Sequence, residues 1–151
     1  MKHEIESLFR YPQHRARIAG WIYDEFWREK PGYSPALFEG LLAQAHREDR
    51  LPLSLVALVD GEPVGTVNLI ENDDEARPHL RPWLAALIVR PAFRRQGVGS
   101  ALVRELLRQA DRLGEREVYL GTDNPGFYTR LGAVEQERAR ADLWILRLPT
   151  R

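Results

Sequence analysis

Apolar residues recur with a helical period along the first third of the chain. After a short strand-like run at 5–9, apolar side chains return every three or four residues across 18–26, which predicts an amphipathic helix. Pro31-Gly32 ends this pattern, and Ser34 followed by Pro35 is typical of the N-cap and first position of a second helix. The apolar positions of that second helix are Leu37, Leu41, Leu42 and Ala45. Together the two segments predict a helical hairpin.

The middle of the chain changes to extended segments. Leu53–Val59 and 63–70 are rich in aliphatic residues, and Asp60-Gly61 between them is a strong turn signal. These features predict a β-hairpin. The polar residues 71–81 predict a loop, and the apolar run Trp83–Val89 predicts the strand that follows it.

A long amphipathic helix and several short elements complete the pattern. The apolar face of the helix consists of Val98, Ala101, Leu102, Leu106, Ala110 and Leu113. Gly114 stands where a left-handed C-cap is expected. Beyond it we predict a strand at 117–120, a short helix at 125–131, and strands at 133–136 and 143–148.

Composition indicates one globular domain spanning 1–151. The chain is 44% hydrophobic and 29% charged, which is enough apolar content for a core at a length of 151 residues. Its 22 basic and 22 acidic residues give a formal net charge of zero. This balance argues against nucleic acid or a membrane surface as a partner.

Four features that the sequence lacks limit the possible chemistry and the expected compartment. There are no cysteines, which excludes disulfides, thiolate zinc sites and a cysteine nucleophile. The four histidines, His3, His14, His46 and His79, lack metal-ligand spacing, so we expect no metal. No apolar run approaches the ~20 residues that span a bilayer, and the N-terminus has no signal-peptide core. We expect a cytoplasmic protein.

The segment after Trp83–Val89 carries the clearest chemical signal. Arg94-Arg-Gln-Gly97-Val-Gly99 joins an apolar strand to the start of a helix, where unpaired amides and the helix dipole favour an anion. Glycines allow close approach to the backbone, and guanidinium groups suit phosphate geometry. The third glycine of a dinucleotide fingerprint and the Gly-Lys-Ser/Thr of a P-loop are both missing. A tight strand-to-helix turn without a ligand is the alternative.

This segment resembles motif A of the GNAT family of N-acetyltransferases, whose pattern is Arg/Gln-x-x-Gly-x-Gly/Ala. The predicted order of elements resembles that family over essentially the whole chain. The resemblance implies that acetyl-CoA is the acyl donor and that main-chain groups of Leu87, Ile88 and Val89 pair with its pantetheine arm. It also implies a pyrophosphate site made by Arg94, Arg95, Gln96, Gly97, Val98, Gly99 and Ser100.

A second segment, residues 122–134, resembles motif B of the same family. There a tyrosine four residues before a glycine lies close to the CoA sulfur, and Tyr128 holds that position before Gly132. Its phenol is a candidate to protonate, or hydrogen-bond to, the departing thiolate. By the same resemblance Asn124 contacts the pantetheine arm, or else caps the short helix. Phe127 is assigned to the core or to a wall beside the carrier.

The group that deprotonates the acceptor amine is left open. Many family members have a glutamate on the strand before motif A, but Trp83–Val89 contains no carboxylate. Glu71 is the first candidate base, because it stands at the exit of the hairpin's second strand. The other candidates are Asp73, Asp74, Glu75, His79 and a bound water, and a solvated acidic loop is the alternative for all of them.

Aromatic residues of the early helices are expected near the acceptor. Helical spacing assigns Trp21 and Phe26 to the core and leaves Trp27 or Tyr33 to line a pocket. The acceptor region is expected to lie between these helices, the acidic loop and the last hairpin.

Taken together, the sequence predicts an α/β N-acetyltransferase domain with the GNAT-like acyl-CoA N-acyltransferase fold. We expect a mixed, mostly antiparallel sheet of six or seven strands flanked by about four helices. The predicted reaction transfers acetyl from acetyl-CoA to the amine of a small molecule or a peptide, by direct attack in a ternary complex. A monomer or a homodimer is expected. A non-catalytic acyl-CoA-binding sensor or interaction module is the alternative.

Overall fold

A computed structural model describes residues 2–151 and contains one seven-stranded sheet. The strands are β1 (Glu4–Ser7), β2 (Leu53–Val59), β3 (Glu62–Ile70), β4 (Trp83–Val89), β5 (Glu117–Thr122), β6 (Val134–Arg140) and β7 (Leu143–Pro149). They lie in the order β1-β2-β3-β4-β5-β7-β6. The pairing of β4 with β5 is parallel and every other pairing is antiparallel. The predicted fold class is therefore confirmed.

Four α-helices flank the sheet: α1 (Arg15–Ile22), α2 (Pro35–Ala43), α3 (Val98–Arg112) and α4 (Pro125–Thr129). A π-helical turn, Tyr23–Trp27, extends α1. Ser34 accepts a hydrogen bond from the Leu37 amide at 3.2 Å, and Pro35 is the first residue of α2, as the sequence predicts. Within residues 2–151, none of the helices has the length and apolar character needed to cross a membrane.

Helix α3 covers one face of the sheet. Its buried residues, Val98, Leu102, Val103, Leu106 and Ala110, pack against inward-facing residues from β2 to β5 and β7. In a strand, successive side chains point to opposite faces, so alternate residues of the same strands face away from α3. Leu84, Val118 and Leu146 face α3, and their neighbours Trp83, Tyr119 and Ile145 belong to a separate cluster on the other face.

Two parts of the chain cover the sheet face opposite α3. Helices α1 and α2 cover β2 and the second half of β4, through contacts of Ile18, Ile22 and Phe38 with Val56 and Ile88. The loop 71–82 covers the first half of β4 with β5 and β7, because Leu80 is buried against Trp83 and Ile145. The middle of β4 lies between these two coverings, and we call the surface there the cleft.

The helical hairpin departs from the predicted burial in two places. Phe26, predicted to be core, is 42% exposed. It lies in the π-helical turn, which has more residues per turn than an α-helix and shifts the phase of the apolar pattern. In α2 the buried residues are Phe38 and Leu42, while Leu37 and Leu41 are exposed. Helix α2 has two adjacent apolar stripes, and the stripe that contains Phe38 and Leu42 faces the sheet.

Candidate active site

The sheet opens between its two parallel strands. Strand β4 pairs with β5 only where Trp83 lies opposite Tyr119, and the Tyr119 amide donates to the Pro82 carbonyl at 2.9 Å. From Ala85 onward no residue of β4 is paired with β5 among the described residues. Because hydrogen-bonding groups alternate in direction along a strand, this edge of β4 presents unpaired amides and carbonyls.

A bulge in β4 accompanies this separation. Thr66 and Asn68 of β3 are two residues apart, while their partners on β4, Ile88 and Ala85, are three residues apart. One extra residue is therefore inserted in β4, and Ala86 there has a φ of 53°. A left-handed conformation costs a non-glycine residue about 1–2 kcal/mol, so other contacts must hold the bulge in place.

The N-terminal end of α3 lies beyond the open end of β4. Gly97 has a φ of 84° at the N-cap, and within residues 2–151 no side chain caps the helix. The first intrahelical bond runs from the Ala101 amide to the Gly97 carbonyl at 3.0 Å. The preceding amides, of Val98, Gly99 and Ser100, lack intrahelical partners and form an anion-binding end.

Two side chains of motif A brace the turn itself. The Arg94 Nε donates to the Val89 carbonyl at 3.0 Å, and the Gln96 Nε2 donates to the Ala92 carbonyl at 3.3 Å. A guanidinium has five N–H donors, and this bond uses one of them. Arg95 is exposed, has a φ of 63° and makes no salt bridge within the described chain. Arg95 is thus the more available cation at the helix end.

Helix α4 brings the second motif against the first. A Cβ placed on Gly99 would lie 3.4 Å from the Phe127 Cζ and 3.6 Å from the Val89 Cγ2. Phe127 therefore fills the space between the first turn of α3 and the end of β4. The Phe127 ring meets the Tyr128 ring edge-on, with centroids 4.9 Å apart. The motif A and motif B segments therefore lie against each other.

Tyr128 is half-buried beside the core that α3 forms with the sheet. Burial raises the pKa of its phenol to about 12. Tyr128 is therefore protonated throughout the physiological range, and its hydroxyl can act as a hydrogen-bond donor. Asn124 precedes α4, but its side chain does not cap the helix. Its amide group remains exposed for another contact.

The carboxylates of the loop 71–82 have different environments. Arg81 donates to both oxygens of Glu71 and contacts Glu115 at 3.3 Å. These hydrogen bonds lower the pKa of Glu71, which weakens it as a base. Glu71 also follows the last residue of β3, three residues beyond Asn68 at the bulge, or about 10 Å along the strand.

The pKa of Asp73 is shifted in the opposite direction to that of Glu71. Its residue surface is exposed, but surrounding protein atoms desolvate the carboxyl group, and this effect, with repulsion from Asp74, raises the pKa of Asp73 to about 6. A carboxylate with a raised pKa is a candidate general base.

An ion-pair network fixes the loop that carries Asp73. Arg77 donates to Asp74 at 2.8 Å and binds Glu137 of β6 through two bonds of 2.7 and 2.9 Å. Only 18% of the Arg77 side chain and 20% of the Asp74 side chain are exposed, so this pair is better shielded than the pair with Glu137, which is 47% exposed. The loop is thereby tied to the last hairpin. Sequence patterns did not identify Arg77, because its partner is 60 residues away.

Asn68 is a second residue that sequence patterns did not identify, and its side-chain Nδ2 donates to the carbonyl of Ala85 at 3.3 Å. One signal for it existed, since Asn68 interrupts the apolar run Val67-Asn-Leu-Ile70 of a predicted strand. A buried amide in such a run needs specific partners.

Aromatic residues of the helical hairpin pack on one another. The rings of Trp27 and Tyr33 are 4.3 Å apart, and both lie near Phe38. The Lys30 ammonium lies 4.6 Å from the Trp27 ring centroid.

His79, another candidate base, is exposed on the loop. Within residues 2–151 no three potential metal ligands come together.

Two surface hollows lie apart from the cleft. One of about 490 Å³ is polar and lies at the C-terminal end of α3, beside Glu115 and Arg116. Another of about 410 Å³ lies between Glu62 and Phe93. Neither is lined by motif A residues 94–100 or by Tyr128. The candidate site at the separation of β4 from β5 is therefore identified by its backbone groups and side chains and not by a cavity.

Two known proteins are similar to this chain in sequence. An uncharacterized N-acetyltransferase of Methanocaldococcus jannaschii is 31% identical over 127 residues, which cover 76% of this chain and 51% of the relative. The mycothiol acetyltransferase of Mycobacteroides abscessus is 37% identical over 98 residues, 59% of this chain and 32% of that protein. The chain thus spans about half the length, or less, of these relatives.

A structural relative and a family model complete the comparison. A solved aminoglycoside 6'-N-acetyltransferase complexed with coenzyme A superposes with a TM-score of 0.74 at 17% identity, covering 98% of this chain and 97% of that one. At that identity the match concerns the fold alone. The model of the acetyltransferase (GNAT) family matches residues 20–133, which include the motif A segment and all but the last residue of the motif B segment. The chain belongs to the acetyltransferase (GNAT) family.

Proposed function

We propose that this domain transfers an acetyl group from acetyl-CoA to the primary amine of a small molecule or a peptide. The observation that carries this proposal is the separation of β4 from β5, with the anion-binding end of α3 at its open end and Tyr128 beside it. Strand β4 is not paired with β5 at Leu87–Val89, and its free backbone groups there offer partners for the amides of pantetheine, apart from the Val89 carbonyl that accepts from Arg94. The amides of 95–100 would hold the pyrophosphate, with Arg95 adding charge.

In this arrangement the donor enters beside α3 and the amine approaches from the opposite face of the sheet. The amine nitrogen attacks the thioester carbonyl carbon, the C–N bond forms, and the C–S bond breaks to release the thiolate of CoA. A β4 amide at the separation would stabilise the developing oxyanion. The chain has no cysteine and cannot form a cysteinyl intermediate. The resemblance to the family supports a ternary complex instead, in which both substrates are bound together.

Asp73 is our proposed base for the amine. An alkylammonium of pKa ~10.4 is almost wholly protonated at neutral pH, so a base must remove its proton, directly or through a water. Asp73 has the higher proton affinity of the two loop carboxylates compared above, and its loop forms one wall of the cleft. Its charge, with that of Glu75, would also attract a cationic acceptor.

Tyr128 would donate a hydrogen bond to the departing sulfur rather than give up its proton. Its pKa of about 12 exceeds that of a thiol, which is ~8.5, so complete transfer would be unfavourable. Tyr128→Phe should lower kcat about 20-fold, as expected for one hydrogen bond to a charged group, and change the KM for acetyl-CoA less than threefold. Steady-state kinetics with varied acetyl-CoA measures both; an unchanged kcat would assign Tyr128 to packing.

Support for a small amine comes from relatives. One relative is a mycothiol acetyltransferase, and a structural neighbour is an aminoglycoside 6'-N-acetyltransferase. Calorimetric titration tests the donor assignment: acetyl-CoA should bind, while ATP or free pyrophosphate should bind at least about 30-fold more weakly because neither supplies the pantetheine contacts. Equal affinities would indicate a general phosphate site instead.

A non-catalytic acyl-CoA sensor is the second candidate, because β4 carries no carboxylate. It predicts the same binding of acetyl-CoA but no release of CoA above the uncatalysed rate with any amine.

A further inference from the structure

Asn68 is a buried polar residue near the middle of β3, only 6% exposed, on the sheet face opposite α3. Its side chain connects three strands. The Ser54 hydroxyl of β2 donates to the Asn68 Oδ1 at 2.6 Å, and the Asn68 Nδ2 donates to the Ala85 carbonyl of β4 at 3.3 Å. Burial of an amide is unfavourable unless its groups are paired, and here both ends are. The amide therefore specifies the relative position of these strands.

The bond from Asn68 reaches β4 at the bulge. The register of β3 and β4 changes between Thr66 and Asn68, and Ala85 directly precedes the left-handed Ala86. A side-chain donor thus holds the carbonyl on one side of the strained residue, where the regular ladder is interrupted. In this position it opposes the tendency of Ala86 to return to an extended conformation.

We propose that Asn68 is a positioning residue for the acyl-CoA site, acting through the bulge. By fixing the Ala85 carbonyl it holds Ala86 in the left-handed conformation, and the bulge directs Leu87–Val89 away from β5 and keeps their edge free. This inference rests on the proposed function, since it assigns that edge to the pantetheine arm. Asn68 itself does not touch the donor.

The test compares acetyl-CoA affinity in two variants of β3 by calorimetric titration. Asn68→Leu keeps the side-chain size and removes both hydrogen bonds; we expect Kd to rise about tenfold, equivalent to one lost hydrogen bond. Thr66→Val is the matched control, because Thr66 is equally buried on the same face but donates to Leu55 of β2, at 2.9 Å, and not to β4. Its Kd should stay within about twofold of the original.

A rescue experiment separates positioning from general loss of stability. Glycine adopts a left-handed conformation without strain, so Ala86→Gly added to Asn68→Leu should return Kd to within about threefold of the original protein. Should Asn68→Leu fold poorly, Ser54→Ala/Asn68→Leu removes the buried pair together and serves in its place.

Three results would overturn the inference: an unchanged Kd in the Asn68 variant, equal weakening by the Thr66 control, or a loss that Ala86→Gly does not reverse. A failure of the proposed function is distinct from these, because then the original protein itself would not bind acetyl-CoA.

Discussion

Gly99→Glu should weaken acetyl-CoA binding about 300-fold while leaving the fold intact. The new carboxylate would lie in the first turn of α3, where the unpaired amides are expected to hold the pyrophosphate, and it would repel that group and compete for its donors. The same charge favours the helix dipole, so thermal stability should stay the same or rise slightly. Calorimetric titration and a thermal melt measure the two effects.

Gly99→Gln is the matched control, since it adds nearly the same volume without charge. A Cβ at this position makes an ordinary contact with Phe127, so we expect a loss of only about 10-fold from crowding. If the glutamate and glutamine variants bind acetyl-CoA equally, charge at the helix end is irrelevant and the pyrophosphate assignment fails.

Asp73→Asn should lower kcat about 100-fold with little change in the KM for acetyl-CoA. In the original protein, kcat/KM for the amine at saturating acetyl-CoA should fall as the pH drops through about 6, because the base must be ionised and its pKa before the amine binds is about 6. The variant should lack this dependence. Initial rates from pH 5 to 8 at low amine and saturating acetyl-CoA are the measurement.

The same substitution should stabilise the protein above pH 6. The pKa of Asp73 is raised from 3.8 to about 6 by folding, so the native state binds more protons than the unfolded state between these values. Ionisation of Asp73 therefore opposes folding, fully above pH 6 and not at all below about pH 3.8. Because solvent screens this exposed residue, we expect a gain of roughly 0.5–1 kcal/mol in the free energy of unfolding at pH 7.5.

Two neighbouring carboxylates provide the controls for Asp73. Glu75→Gln removes an exposed carboxylate two residues away, and kcat should change less than about threefold. Glu71→Gln breaks the ion pair with Arg81 and should reduce stability rather than rate. A large loss of kcat in Glu71→Gln, with normal turnover in Asp73→Asn, would assign the base to Glu71 instead.

Local sequence signals were sufficient to predict where individual turns and helix ends lie. Asp60-Gly61 predicts the β2–β3 turn, and both residues have positive φ there. Gly114, with a φ of 87°, ends α3 as predicted, and the Glu115 amide bonds to the Ala110 carbonyl at 2.9 Å. Each of these features depends on the conformational preference of one or two residues, which is why neighbouring sequence determines it.

Features set by contacts between distant residues were not predictable. The bulge at Ala86 arises from the register of two strands, and nothing in Trp83–Val89 marks alanine for a left-handed conformation. The exposure of Phe26 follows from a π-helical turn that α-helical spacing does not anticipate. Hydrogen bonds from Arg81 lower the pKa of Glu71, whereas burial and repulsion from Asp74 raise the pKa of Asp73. Tertiary structure, rather than residue type, separates the two carboxylates.

The most direct test of the account is release of CoA, followed with a thiol reagent. The chain contains no cysteine, so every thiol detected comes from the donor. Acetyl-CoA would be incubated with the protein and with aminoglycosides, polyamines, amino acids or peptide N-termini in turn. We predict thiol release that depends on at least one amine and falls sharply in both Tyr128→Phe and Asp73→Asn. Binding of acetyl-CoA without thiol release above the protein-free rate for any of these amines would contradict the proposed acetyltransferase activity.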